Sequence, residues 1–120
     1  MTTEEIAQGL VSLCKEGKFP DALKYYSPDI VSVEATAMPD GSREAKGIKA
    51  VEAKGEWWVA NHEIHSVTVE GPLVAGSTFC VRFKMDVTFK PTGKRMEMDE
   101  LAVYHVADGK IDREEFFYGA

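Results

Sequence analysis

Cysteine, membrane-length apolar runs and clustered positive charge are what this sequence most lacks. Its two cysteines, Cys14 in a helical pattern and Cys80 in a strand pattern, make neither a disulfide framework nor a metal set. A reducing, cytoplasmic location is the simplest expectation. No stretch approaches ~20 consecutive apolar residues, so no bilayer-spanning helix and no membrane partner are expected. The start, Met1-Thr2-Thr3-Glu4-Glu5, is acidic and lacks the basic-then-apolar order of a secretory leader. With a net charge of −6 and no basic stripe, the footprint that holds a phosphate backbone is missing, and nucleic acid is not an expected partner. Gly71 and Gly76 lack the pattern of a phosphate-cradling loop. His62 and His65 fall on opposite faces of a strand, and His105 faces away from Tyr104, so no zinc set is expected. Nor does any serine or cysteine have the histidine arrangement of nucleophilic catalysis. No cofactor is expected.

What is present is an ordinary globular composition, 44% hydrophobic and 28% charged over 120 residues, enough for one domain, residues 1–120, and one core. The last third carries the clearest pattern. Phe79, Val81, Phe83, Met85, Val87 and Phe89 recur at every second position, with Cys80, Arg82, Lys84, Asp86 and Thr88 between them, which is the period of a half-buried strand. Pro91-Thr92-Gly93-Lys94 and Asp108-Gly109-Lys110 are turn sequences. They delimit two further strands, Arg95–Val106 and Ile111–Tyr118, and make the region an antiparallel meander.

Upstream, Thr2-x-x-Glu5 is a capping box, followed by Ile6, Leu10 and Leu13 at helical spacing up to Gly17. Phe19, Ala22, Leu23 and Tyr26 predict a short second helix ended by Ser27-Pro28. Ile30, Val31 and Val33 predict a strand over Asp29–Glu34, with Ile30, Ser32 and Glu34 on one face. Pro39-Asp40-Gly41-Ser42 marks a loop. Ile48, Val51, Gly55 and Trp58 then fall on one side of a third helix, where Gly55 costs about 1 kcal/mol against alanine unless close packing requires it. His62–Glu70 reads as a strand ended by Gly71-Pro72. The order predicts an α+β domain: a cone-shaped, curved antiparallel sheet with three helices from the N-terminal half packed on its concave side.

Several features together are similar to the SnoaL-like branch of the nuclear transport factor two superfamily, which includes ketosteroid isomerases and polyketide cyclases. They are the order of elements, the Gly17-Lys18-Phe19 step, the Tyr26-Ser27-Pro28-Asp29 junction, and the ending Val106 to Ile111 with Phe116-Phe117-Tyr118. The resemblance covers nearly the whole chain. It implies a dimer with a deep apolar pocket between sheet and helices, and it places Glu34 where the isomerases keep their carboxylate base. Those isomerases stabilise the enolate with two oxyanion donors, a tyrosine and a protonated aspartic acid. The matching positions fall near Leu10 and Ala102, and neither side chain can donate a hydrogen bond.

If Ala102 faces inward, the pleat turns Met98, Glu100 and Tyr104 inward with it. The parity that buries Phe116 and Tyr118 likewise turns Glu114 inward. Glu34, Glu100 and Glu114 then surround one hollow lined by Val81, Phe83, Met85, Met98, Phe116 and Trp58. Three carboxyls in such a cup cannot all remain charged cheaply. A neutral acid beside a charged base suits acid–base chemistry, with Glu34 or Glu100 accepting a proton from a small apolar carbonyl compound and Glu114, Tyr104 or Tyr118 donating. The same carboxyls also suit a structural network, Glu100 and Glu114 pairing with each other or with His62, His65, Arg43 or Lys54. An isomerase, dehydratase or cyclase, a non-catalytic binder of a small molecule, and a dimerisation module all fit. The outer strand face, with Arg82, Lys84, Asp86, Arg95, Glu97 and Asp99 around Leu101 and Val103, suits a homodimer surface.

Overall fold

The computed structural model describes residues 1–119. Helix α1, Thr3–Lys15, starts on the predicted capping box: the Glu5 amide donates to Thr2 Oγ1 at 3.1 Å and the Thr2 amide donates to Glu5 Oε1 at 2.9 Å. The pair satisfies amides that the first helical turn leaves without partners. The apolar stripe of α1, Ile6, Ala7, Leu10, Val11 and Cys14, is buried. A 3-10 helix, Phe19–Tyr25, follows, with Pro20 in its first turn where no amide donor is needed. No helix among the described residues is long and apolar enough to cross a membrane.

Strand β1, Tyr26–Val33, begins three residues earlier than its apolar run predicts, and a short β2, Glu44–Lys46, follows the Pro39–Ser42 loop. Three residues are too few to leave a period, so β2 has no signature in the sequence. Helix α2, Ile48–Asn61, runs directly into β3, His62–Ala75. Gly71-Pro72 does not end β3 as predicted. The pairing with β4, Thr78–Phe89, shifts register between Glu70 and Leu73 and then resumes through Ala75, because a bulge absorbs the proline that cannot donate to the ladder. Strands β5, Lys94–Ala107, and β6, Lys110–Phe117, complete the meander. The turn between them holds Asp108 and Gly109 at φ 52° and 73°, the paired positive angles that the predicted Asp-Gly turn supplies.

The sheet order is β2-β1-β6-β5-β4-β3, antiparallel throughout except for β1 beside β6. Helix α1 packs on β3 and β4, and α2 lies against β1 and β2. All three helices therefore cover one face of a curved, unclosed sheet. The predicted β4 alternation holds: Phe79, Val81, Phe83, Met85 and Val87 are buried and pair across β5 with Tyr104, Ala102, Glu100, Met98 and Met96 in register. The opposite face carries Arg82 on Asp99 and Arg95 on Asp86, each pair at 2.7 and 2.9 Å.

Two glycines in helices have opposite surroundings. A Cβ on Gly9 of α1 would lie 2.0 Å from the Tyr25 hydroxyl and 2.7 Å from its ring carbon, whereas a Cβ on Gly55 of α2 would meet nothing within 4 Å. Close packing therefore accounts for Gly9 and not for Gly55. Gly9→Ala is expected to destabilise by about 1–3 kcal/mol through overpacking, while Gly55→Ala is expected to stabilise by up to about 1 kcal/mol. Urea unfolding of the two variants checks both signs.

Candidate functional site

Between the inner sheet face and α2 lies a cavity of about 1270 Å³, bounded at its other end by Leu10 and Cys14 of α1 and by the 3-10 helix. Its floor is β5 and β6. On β5 the predicted parity is met: Met98, Glu100, Ala102 and Tyr104 face inward, while Glu97, Asp99 and Leu101 are exposed. On β6, Glu114 and Phe116 share the inner face, paired with Tyr104 and Ala102. All three sequence-predicted carboxylates, Glu34, Glu100 and Glu114, line this one cavity.

They do not have the same surroundings. Glu114 is buried, with 3% of its surface exposed. It accepts a hydrogen bond from the Tyr26 hydroxyl at 2.5 Å and lies in register with Ser32 of β1. Burial pushes its carboxyl above the usual range; the hydrogen bonds from Tyr26 and Ser32 and the Lys54 charge pull the other way without cancelling it. Glu34 sits just beyond the end of β1. Lys54 Nζ reaches its Oε2 at 3.1 Å and the Tyr118 hydroxyl donates to its Oε1 at 3.2 Å. Lys54 also donates to Ser32 Oγ at 2.5 Å. Of the pairings open from sequence, Lys54 is thus engaged, but with Glu34. His62 instead stacks on Trp58 with ring centres 4.2 Å apart and lies 2.8 Å from its carbonyl, and His65 lies 2.7 Å from Thr88 Oγ1. Arg43 donates to the Glu34 backbone carbonyl at 2.9 Å.

Glu100 is the carboxyl without a hydrogen bond or ion pair among the described residues. It is not sealed from the cavity. Burial first, then the charge of Glu34, raises its pKa to about 7. Tyr104 resembles it: only 3% of its surface is exposed, its ring stacks on Phe79 at 4.7 Å, and its hydroxyl has no partner among the described residues but opens to the cavity. Burial raises its pKa, as it does that of Tyr26. Cys14, at the cavity edge, is pushed up to about 12 by burial and by Glu114, so it is a thiol with no nucleophilic character.

Of the predicted apolar lining, Trp58, Phe83, Met85, Tyr104 and Phe116 border the cavity. Val81 does not: it is 1% exposed and packed in the core. Met98 does not border the cavity either, and packs on the core edge from the same face. Tyr118 borders a shallow outer depression with Arg82, Leu101 and Phe117, and only its hydroxyl turns back to Glu34. The residues that sequence reasoning left out of the site are Tyr26, Ser32 and Lys54. Lys54 had a signal: Val51, Lys54 and Trp58 stand three and four residues apart and form the inward stripe of α2, with Lys54 where Gly55 was expected. Tyr26 had none, since only the end of the 3-10 helix at Tyr25 makes it the first residue of β1 rather than part of a helical face.

A family model for the SnoaL-like domain matches residues 1–118. A provisionally named SnoaL-like polyketide cyclase of Mesorhizobium loti has a crystal structure that superposes with a TM-score of 0.92 at 44% identity, over 98% of this chain and all 100% of that one. A provisionally named isomerase of Bacillus subtilis is similar in fold, with a TM-score of 0.75 at 18% identity over 99% and 90% of the two chains. So is a Catenulispora acidiphila protein of ketosteroid isomerase-like fold in complex with trimethylamine, at 0.74 and 15% over 98% and 88%. No curated protein matches the chain. The matched family model, the 44% identity over almost the full length and the α+β cone with its carboxyl-lined hollow agree: the chain belongs to the SnoaL-like domain family.

Proposed function

We propose that the cavity binds a small, largely apolar carbonyl compound and that Glu100 exchanges a proton with it, as an isomerase, dehydratase or cyclase without a cofactor would require. The observation that carries this reading is Glu100: a carboxyl facing an apolar cavity with no partner among the described residues, and a pKa raised to about 7 by burial and by Glu34. A base works best when its pKa lies near the working pH. Tyr104, whose hydroxyl has no partner among the described residues and opens to the same cavity, is a donor on the same face of β5. Glu34 is held by Lys54 and Tyr118 and Glu114 by Tyr26, so in this reading they set the field and geometry around Glu100. A non-catalytic binder of the same ligand class is the second reading. It is favoured by Leu10 and Ala102, which are 1% and 0% exposed and apolar, where the resemblance expected oxyanion donors.

The two readings separate in heavy water. With a panel of small ketones, proton NMR is expected to show protein-dependent exchange of the hydrogens next to the carbonyl, reduced about 10²–10⁴-fold in Glu100→Gln. The rate is expected to rise as pH passes through about 7 and then level, since Glu100 must be ionised to accept a proton. Bound ketone without exchange in the wild-type protein would favour the binder.

The same carboxyl links stability to pH. Its folded pKa of about 7 exceeds the ordinary glutamate value of 4.5, so between these values the folded state holds a proton that the unfolded chain has released. Stability is therefore greatest below about 4.5 for this group and declines until about 7. Urea midpoints measured across that window are expected to fall with rising pH in the wild type, and to fall less in Glu100→Gln.

The outer face supports a homodimer. Leu73, Leu101 and Phe117 are 73%, 40% and 49% exposed there, and the Arg82–Asp99 pair borders Leu101, an apolar centre with a charged rim. Free Cys14 and Cys80 suit a reducing, cytoplasmic compartment. Light scattering after size exclusion is expected to show a dimer that Leu101→Asp and Phe117→Asp together convert to a monomer.

A further inference from the structure

We propose that Lys54 binds the substrate oxygen on which negative charge develops, so that the ligand class is a carbonyl compound reacting through its enolate. This rests on the acid–base reading of Glu100 given above. It begins with a donor count. An ammonium has three N–H groups, and Lys54 commits two of them, to Ser32 Oγ at 2.5 Å and to Glu34 Oε2 at 3.1 Å. Its Nζ lies 5.0 Å from the centre of the Phe116 ring, and the residue lines the cavity with about a fifth of its side chain exposed, 20%. The third N–H has no hydrogen-bond acceptor among the described residues, and a ligand oxygen beside the Phe116 ring could take it.

The position of Phe116 says where that ligand oxygen would lie. Phe116 pairs in register with Ala102. Ala102 is midway between Glu100 and Tyr104 on the inner face of β5, with each neighbour about 7 Å away along the strand. The ammonium thus stands over Phe116, beside the gap whose floor is the Ala102 methyl group. A larger side chain at position 102 would fill that gap, and an acidic one would put a donor on its floor. With alanine there, the charge complement comes from α2 above. The other titratable groups facing this point are Glu34 beyond β1, Tyr26 on β1, Glu100 and Tyr104 on β5, Glu114 on β6 and Cys14 on α1. Lys46, Asp40, Glu44, Glu52 and Glu56 also border the cavity but are exposed. Both Glu100 and Glu114 feel the Lys54 charge, which places the cation within electrostatic reach of the proposed base.

The step balances without any further reactant. Glu100 as carboxylate takes the proton from the carbon beside the carbonyl; the C–H electron pair becomes the new carbon–carbon double bond, and the carbonyl π pair moves onto oxygen. The negative charge thereby passes from Glu100 to an oxygen facing Lys54. A prepositioned cation costs no reorganisation at that moment and strengthens the interaction in a water-poor site.

A phenolate mimics the enolate, and 4-nitrophenol reports its own ionisation by colour. Bound to the wild-type protein, it is expected to ionise at a lower pH than in buffer. Lys54→Met is expected to reverse this by about one pKa unit, a tenfold loss in phenolate preference, and Lys54→Arg to recover most of it. Glu34→Gln distinguishes contact from tethering: with its carboxylate gone, Lys54 is freer, and the bound phenol is expected to ionise as readily as in the wild type or more so. The proposal is overturned if Lys54→Met leaves the phenol unchanged, or if Lys54→Met and Glu34→Gln both hinder ionisation, the mark of a lysine that only holds Glu34. Should Lys54→Met fail to fold by circular dichroism, Lys54→Arg and Glu34→Gln carry the same comparison, and hindered ionisation in Glu34→Gln again overturns it. Nile red, a neutral apolar dye, separates this from the pocket reading. Wild-type protein that binds the dye but not nitrophenolate refutes the role of Lys54 alone, and protein that binds neither refutes the pocket with it.

Discussion

Alternation along β5 is the constraint on which the site depends. Its backbone sends every second side chain toward the helices, so Met98, Glu100, Ala102 and Tyr104 share one face as a consequence of the pleat. A slip of one residue would turn Asp99, Leu101 and Val103 inward and leave the cavity with different chemistry. The register is held from both sides. Buried Phe79, Val81, Phe83 and Met85 on β4 are paired with the inward residues of β5, and on the outer face Arg82 and Arg95 bind Asp99 and Asp86 through paired hydrogen bonds. Those exposed ion pairs contribute little energy each. Their value lies in matching charges in one register.

Given that alignment, electrostatics divides the carboxyls by their neighbours. Glu114 is enclosed at the joint between β1 and β6, where Tyr26 supplies a donor and burial opposes ionisation. Glu34 stands at the mouth between Lys54 and Tyr118. Glu100, one strand further along on β5, has neither a hydrogen-bond donor nor an ion-pair partner among the described residues, and both neighbours raise its pKa. Groups of one chemical type thus acquire different proton affinities from position alone. This is the condition under which one can hold a proton while another remains in an ion pair.

Much of this was legible in local pattern. The capping box, the β4 alternation, the Asp108-Gly109 turn and the shared inward face of Ile30, Ser32 and Glu34 each follow from a few neighbouring residues, and the structure has each of them. The features that escaped are those in which local rules compete. Gly71-Pro72 reads as a strand end, yet β3 continues beyond it because β4 offers a partner on the far side of the bulge. Val81 has the same parity as Phe83, but it is packed within the core and does not border the cavity. Parity tells which face a side chain takes and not what covers that face.

From the sequence alone came the α+β order, the shared parity of Glu114 with Phe116, and the two-faced character of the meander, because these depend on spacings of two, three and four residues along one chain. The pocket positions of Glu34 and Glu100 came from the family resemblance, which set Ala102 inward. The tertiary structure alone decided which carboxyl is paired. Tyr26 meets Glu114 across 88 positions and Lys54 meets Glu34 across 20, separations over which no periodicity in sequence carries distance. A hydrogen bond requires atoms to lie within a few tenths of an ångström of the right place, and only the curvature of the sheet and the seating of α2 upon it bring these atoms so close.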